Sequence, residues 1–234
     1  MSTFVEFGWV ELAGNLCDTD PMAAATSKEA RDGSGKETAG RRSAQVRRET
    51  RETQISLSIN LDGSGQSAIS TGVPFLDHML ELFSKHGLFD LEVEAKGDLE
   101  VDQHHTVEDV GLALGQAFAQ ALGDKHGIRR YGSYACPLDE ALVQIVVDLS
   151  GRPYLVYELE PGQERVGDFD TGLVHDFLLS FVNETKMNLH VDCIRGRNPH
   201  HMIEAAFKAL SRALDAAIQV DPRVQGVPST KGAL

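Results

Sequence analysis

The sequence predicts an α+β fold made of two tandem half-domains, each a mixed β-sheet with helices packed on one face. Three observations carry this expectation. Segments with the two-residue period of a half-buried strand alternate with segments of helical period, in the same order twice. A His-His-x-x-Glu module also occurs twice, as His104-His105-Thr106-Val107-Glu108 and as His200-His201-Met202-Ile203-Glu204. A further His precedes each module at nearly the same interval, His78 by 26 residues and His175 by 25. An internal duplication of roughly 90 to 100 residues is the simplest account, with repeats over about residues 50–130 and 131–220.

Residues 1–45 are rich in Ala, Gly, Ser, Thr and charge without a sustained period, so they read as a disordered tail, with Met22 a second candidate start. The folded domain is expected over residues 46–234. Ile55, Leu57, Ile59 and Leu61 alternate with Ser56, Ser58 and Asn60, as in a strand with one buried face, and Asp62-Gly63-Ser64-Gly65 supplies a turn into a second strand. A hairpin is therefore expected here. Pro74 opens a helix over 75–85, residues 88–95 alternate as a strand, and Val107, Val110, Leu114, Phe118 and Ala121 trace one helix face. The second half repeats the order: strands over 141–149 and 154–160, a helix over 173–183, a strand over 189–194, and a helix carrying Ile203, Phe207, Leu210 and Leu214.

Charge narrows the choice of ligand. Lys and Arg number 22 against 35 Asp and Glu, and the formal charge of -13 argues against nucleic acid or anionic membrane as a partner of the net field. Any anionic small molecule must then be held by a local basic cluster. Cys17, Cys136 and Cys193 are far apart with no C-x-x-C spacing, which disfavours a disulfide framework or a thiolate zinc site and fits a reducing cytoplasm. The apolar stretch over 4–12 carries Glu6 and Glu11 and follows no basic region, unlike a secretory signal, and no run approaches a membrane span.

The duplicated modules point to metal chemistry. In each, the first His and the Glu are four residues apart, so at a helix start they share a face and can clasp one cation. The second His is rotated by about 100° and would serve another. Two facing modules could thus share two metals by exchange, one held by His104, Glu108, His175 and His201, the other by His78, His105, His200 and Glu204. Three imidazoles and a carboxylate suit Mn, Fe, Co or Zn, and octahedral geometry would leave positions open for substrate or water. The order differs from His-Glu-x-x-His, so a zinc protease is not indicated. A single helical His is more often a hydrogen-bonded or exposed residue than a ligand; the duplication reverses that expectation. His86, His126 and His190 have no counterpart in the other half and read as ordinary residues. Arg129-Arg130, Arg152, Lys208 and Lys231 would each normally be solvated charges, but beside a di-metal centre they could form a phosphate clamp.

With these residues assembled, the chain from about Arg48 to Leu234 resembles the imidazoleglycerol-phosphate dehydratase family. The resemblance rests on Gly72-Val73-Pro74-Phe75-Leu76-Asp77-His78-Met79-Leu80, the two His-His modules, Pro137-Leu138-Asp139-Glu140-Ala141, Asp148-Leu149-Ser150-Gly151-Arg152-Pro153, Asn198-Pro199-His200-His201 and Gly226-Val227-Pro228-Ser229-Thr230-Lys231-Gly232. It implies two Mn(II) ions per site, active sites shared between subunits, and a large homo-oligomer, a 24-mer, whose isolated subunits are inactive. It also implies a hydro-lyase that converts D-erythro-imidazole glycerol phosphate to imidazole acetol phosphate and water in L-histidine biosynthesis. On this resemblance the catalytic positions are Glu52, an acid or base, with His78 and His175, while Glu52, Arg130, Arg152, Lys208, Ser229 and Lys231 hold substrate and its phosphate. Both ring nitrogens on Mn(II) would keep the substrate's ring as imidazolate, whose electrons expel the adjacent hydroxyl to give a diazafulvene-like species and acidify the next carbon. Some members carry an N-terminal phosphatase domain, which residues 1–45 are too few and too polar to form. Two other readings stay open: a di-metal phosphohydrolase, for which the ligand set is too rich in His, and a non-catalytic assembly stapled by metal.

Overall fold

The computed structural model describes residues 42–234. The expected tail falls mostly on residues outside these, although a strand already starts at Ser43, before the boundary anticipated at residue 45. The first half runs β1 (Ser43–Glu49), β2 (Thr53–Asn60), β3 (Ser67–Ser70), α1 (Pro74–Gly87), β4 (Asp90–Gly97) and α2 (His104–Leu122). The second runs β5 (Tyr131–Leu138), β6 (Ala141–Asp148), β7 (Tyr154–Glu158), a short ribbon of β8 (Arg165–Val166) and β9 (Phe169–Asp170), α3 (Leu173–Thr185), β10 (Asn188–Arg195) and α4 (Pro199–Ile218).

The two main sheets have one topology, β1-β2-β4-β3 and β5-β6-β10-β7. In each, an antiparallel hairpin pairs antiparallel with the last strand, and that strand lies parallel to the strand before the intervening helix. Each half is thus a hairpin joined to a strand-helix-strand crossover, because parallel neighbours need a long connection that a helix supplies.

One expectation is corrected. The turn after β2 does not fold β3 back onto β2; β2 makes its hairpin with β1 through Arg51-Glu52, and β3 runs parallel to β4. The cause lies in Asp90, at the start of β4, whose Oδ1 accepts the backbone N–H of Ser64 at 2.8 Å and of Gln66 at 3.1 Å. Those bonds carry the chain past β2 to the far side of β4.

Alternation along β2 and β4 turns Ile55, Leu57, Ile59, Leu91 and Val93 inward, and β6 and β10 do the same with Val143, Ile145, Val147, Leu189 and Val191. Helix α2 lies on β1 and β2, α4 lies on β5 and β6, and the halves meet where α2 packs on α3 and α1 on α4. Phe83, Phe89, Phe118, Phe177 and Phe181 are fully buried among these helices, each worth about 1.5–3 kcal/mol of burial. The α2–α3 approach is close: a Cβ on Gly111 would lie 2.7 Å from the Phe177 carbonyl oxygen, and one on Gly115 2.9 Å from that of Phe181. No helix among the described residues is long and apolar enough to cross a membrane.

Candidate metal centre

The two helix pairs that join the halves each carry one group of candidate ligands at their N-terminal ends. On the α1–α4 pair, His78, His200 and Glu204 place one donor atom apiece within 4.8 Å of one another, the one such trio found among the described residues. Glu204 Oε2 lies 3.4 Å from His78 Nε2 and 3.1 Å from His200 Nε2. The local sequence builds this end. Asn198 caps α4 by accepting the His200 N–H at 3.0 Å, Pro199 starts the helix, and Glu204 follows one turn after His200. Phe75 on α1 packs edge-on against the His200 ring, with centroids 5.3 Å apart. Partial burial pushes the Glu204 carboxyl up, but Lys208, with Nζ 2.6 Å from Oε1, and the two imidazoles outweigh it and keep the group below its ordinary range.

The α2–α3 pair carries the pseudo-symmetric group. His104 and Glu108 are one turn apart, with His104 Nε2 3.9 Å from Glu108 Oε2. Asp176 joins them to His175: its carboxylate lies 3.4 Å from His104 Nδ1 and 3.3 Å from His175 Nδ1. Its side chain sits between the two rings, a role the sequence reading did not give it. An open cleft of about 780 Å³ runs over His104, His175 and Asp176.

The second imidazole of each module departs from the expected four-ligand sets within a single chain. His105 does not join His78, His200 and Glu204; its Nδ1 lies 3.0 Å from Asp98 Oδ2. His201 does not join the His104 group; its Nδ1 lies 2.8 Å from Glu140 Oε2. The reason is the rotation between adjacent helix positions, which turns each second ring toward a carboxylate at the strand ends of its own sheet. Those contacts raise both histidines above the usual imidazole range, Asp98 being the main cause for His105 and Glu140 for His201. Glu140 is correspondingly lowered to about 2 by His201 and by the Asn198 N–H. His126, read as ordinary, sits 2.9 Å from Asp124 and apart from both groups.

The candidate anion-binding residues fall in two places. Arg130 gives Nε and Nη2 to Asp148 at 2.6 and 3.0 Å and Nη1 to the Pro228 carbonyl at 2.9 Å, so it anchors the C-terminal segment that carries Ser229 and Lys231. That segment ends over the Arg152 loop, since a Cβ on Gly151, at φ +77, would lie 2.4 Å from the Leu234 carbonyl carbon. Lys208 is elsewhere, committed to Glu204. Glu52 is exposed in the β1–β2 turn, and its carbonyl accepts the Asp98 N–H at 3.1 Å, which brings it beside the His105 end of the first module.

Carboxylates that act on other side chains carry no metal-ligand spacing in the sequence: Asp98 acts on His105, Glu140 on His201, Asp148 on Arg130, and Asp176 on His104 and His175. Glu140 and Asp148 lie in Pro137-Leu138-Asp139-Glu140-Ala141 and Asp148-Leu149-Ser150-Gly151-Arg152-Pro153, where spacing alone assigns them no role. Asp176 directly follows a candidate ligand, which was the one signal available for it.

A family model described as Imidazoleglycerol-phosphate dehydratase matches residues 71–214. The imidazoleglycerol-phosphate dehydratase of Citrifermentans bemidjiense is 58% identical over 193 residues, covering 82% of this chain and 99% of that relative. Its counterpart in Halalkalibacterium halodurans is 60% identical over 193 residues, covering 82% of this chain and 100% of the relative. The crystal structure of the enzyme from Staphylococcus aureus subsp. aureus superposes with a TM-score of 0.70 at 44% identity, covering 76% of this chain and 99% of that one. That from Pyrococcus furiosus superposes with a TM-score of 0.71 at 35% identity, covering 81% of this chain and 100% of that one.

Proposed function

The chain belongs to the imidazoleglycerol-phosphate dehydratase family, hydro-lyases (EC 4.2.1.19) of histidine biosynthesis, and we propose that it dehydrates D-erythro-imidazole glycerol phosphate at a centre of two Mn(II) ions. One arrangement supports this reading above others: His78, His200 and Glu204 converge on one point, and His104, Glu108 and His175 stand at the matching end of the other helix pair. Two imidazoles and a carboxylate, with a third imidazole to come, are a borderline donor set that fits Mn(II).

In this reading His105 and His201 complete the two trios from neighbouring copies, since each is turned away from the trio of its own chain. Bound by these residues, the ions would supply Lewis acidity that eases loss of the hydroxyl next to the substrate's ring. Glu52 takes the proton from the next carbon, giving an enol that becomes the ketone of imidazole acetol phosphate, while the departing hydroxide takes up a proton to leave as water. His78 and His175 present ligand nitrogens to the reacting end. Arg152, Ser229 and Lys231, gathered by the Arg130 anchor, hold the phosphate, and Lys208 balances the charge of Glu204. Sites shared in this way require an oligomer, which we take to be a cytoplasmic 24-mer.

The test is turnover of imidazole glycerol phosphate by Mn(II)-reconstituted protein beside His104→Ala and Glu52→Gln. Both variants are expected to lose activity, with metal content reduced in the first alone. Wild-type protein with full Mn(II) and no product would sink the assignment, and free phosphate as product would favour a hydrolase.

A further inference from the structure

The two halves solve one problem with carboxylates from different positions. Each second imidazole is held through Nδ1, His105 by Asp98 and His201 by Glu140. Asp98 is the first residue after β4, and its counterpart after β10 is Gly196. A side chain is obstructed there, because a Cβ on Gly196 would lie 2.3 Å from Cγ of the buried Met202. Glu140 instead occupies the two-residue turn between β5 and β6, and its counterpart in the turn between β1 and β2 is Glu52. The turn glutamate of the second half reaches across to accept the N–H groups of Arg197 at 3.2 Å and Asn198 at 2.8 Å on Oε1, leaving Oε2 for His201.

We propose that Glu140 and Asp98 are equivalent positioning residues taken from non-equivalent sites, each fixing a proton on Nδ1 and aiming Nε2 as a metal donor, and that Asp98 frees Glu52 for chemistry on the substrate. Asp139, at 3.9 Å from His201 Nε2, is too far to hold that nitrogen by a hydrogen bond. Among the described residues neither Nε2 has a hydrogen-bond partner, as a donor destined for a metal requires. A carboxylate behind a ligating imidazole sets its tautomer and orientation and raises its basicity, and losing it typically costs about 10- to 100-fold in metal affinity. The duplication has thus diverged in one respect: the same turn position orients a ligand in one half and is released from that duty in the other.

This inference rests on the reading of His105 and His201 as ligands, and the experiment separates the two. Metal-stripped full-length wild-type, Glu140→Gln, Glu140→Asp, Asp98→Asn, Glu52→Gln and Glu204→Gln proteins are titrated with Mn(II) alone, free ion being followed by its EPR signal and bound ion by mass spectrometry. Gln at 140 keeps an acceptor for Arg197 and Asn198, so the α4 cap survives. Glu140→Gln and Asp98→Asn are expected to weaken Mn(II) binding about 10- to 100-fold, Glu140→Asp to recover part of that loss, and Glu52→Gln to bind as wild type does. If Glu204→Gln loses metal while Glu140→Gln and Asp98→Asn bind normally, the positioning role is overturned and the metal reading stands. The proposal also falls if Glu52→Gln weakens binding as much as Glu140→Gln. A wild-type protein that takes up no Mn(II) overturns both.

Discussion

Asp90 accepts the N–H of Ser64 and Gln66 and so decides which strand β3 joins. Those bonds, that from Ser64 first, hold its carboxyl below the usual value of 3.8. A folded value lower than the unfolded one means that the charged form contributes stability above pH 3.8, and that the contribution is lost as pH falls through the folded value. Asp90→Asn is therefore expected to cost about 1 kcal/mol at pH 7, with the gap to wild type closing below pH 3.8. Urea unfolding of both proteins at one protein concentration checks it, and a gap that persists at low pH would refute the charge argument. At this scale the sequence exposed the histidines and hid their partners. Eight candidate ligands were legible because a duplicated spacing is improbable by chance. Asp98, Asp176 and Glu140 were not, since a carboxylate that holds a ring through Nδ1 is fixed by tertiary contact and leaves no periodic trace.

At the scale of elements, the helices and the buried strands were legible from their periods, but the outer strands were not. β1 buries only Val46 fully, and β5 contains Gly132 and Pro137, so neither shows the alternation that marked β2 and β6. Edge strands need not alternate, and Pro is tolerated there. The hairpin was misplaced for the same reason, because its true partner carried no signal. Helix pairing has a sharper consequence. α2 presents Gly111 and Gly115 to α3, and the atoms that an added Cβ would meet include the backbone carbonyls of Phe177 and Phe181, which cannot step aside as a side chain can. Ala at Gly115 would gain about 1 kcal/mol of helix propensity and lose about 1–3 kcal/mol to overpacking, so a net loss is expected. Because α2 brings His104 and Glu108 and α3 brings His175, the variant should also bind less Mn(II) at that trio. Thermal melting with metal counting tests both parts, and a Gly115→Ala protein with a higher melting temperature and full metal would show that the helices tolerate separation.

At the scale of the whole molecule, each chain carries one converged three-donor group, its looser pseudo-symmetric counterpart and two imidazoles directed elsewhere. If His105 completes the His78, His200 and Glu204 trio of a neighbour, the defects of His78→Ala and His105→Ala lie in different chains of one site. Each variant alone is expected to be inactive, since every site lacks one donor. When the two are co-expressed in equal amounts and assemble at random, a site regains all four donors wherever a His105→Ala chain supplies the trio and a His78→Ala chain supplies the imidazole, which is about a quarter of the sites in a symmetric assembly. Activity, and Mn(II) bound at the His78 site, should recover to that fraction in mixed particles confirmed by native mass spectrometry, while the His104 site stays filled throughout. If all four donors belonged to one chain, mixing would restore no site, because every chain would carry a broken set. Mixed particles without recovery would therefore remove the shared site, and with it the reason for an oligomer to be required for catalysis.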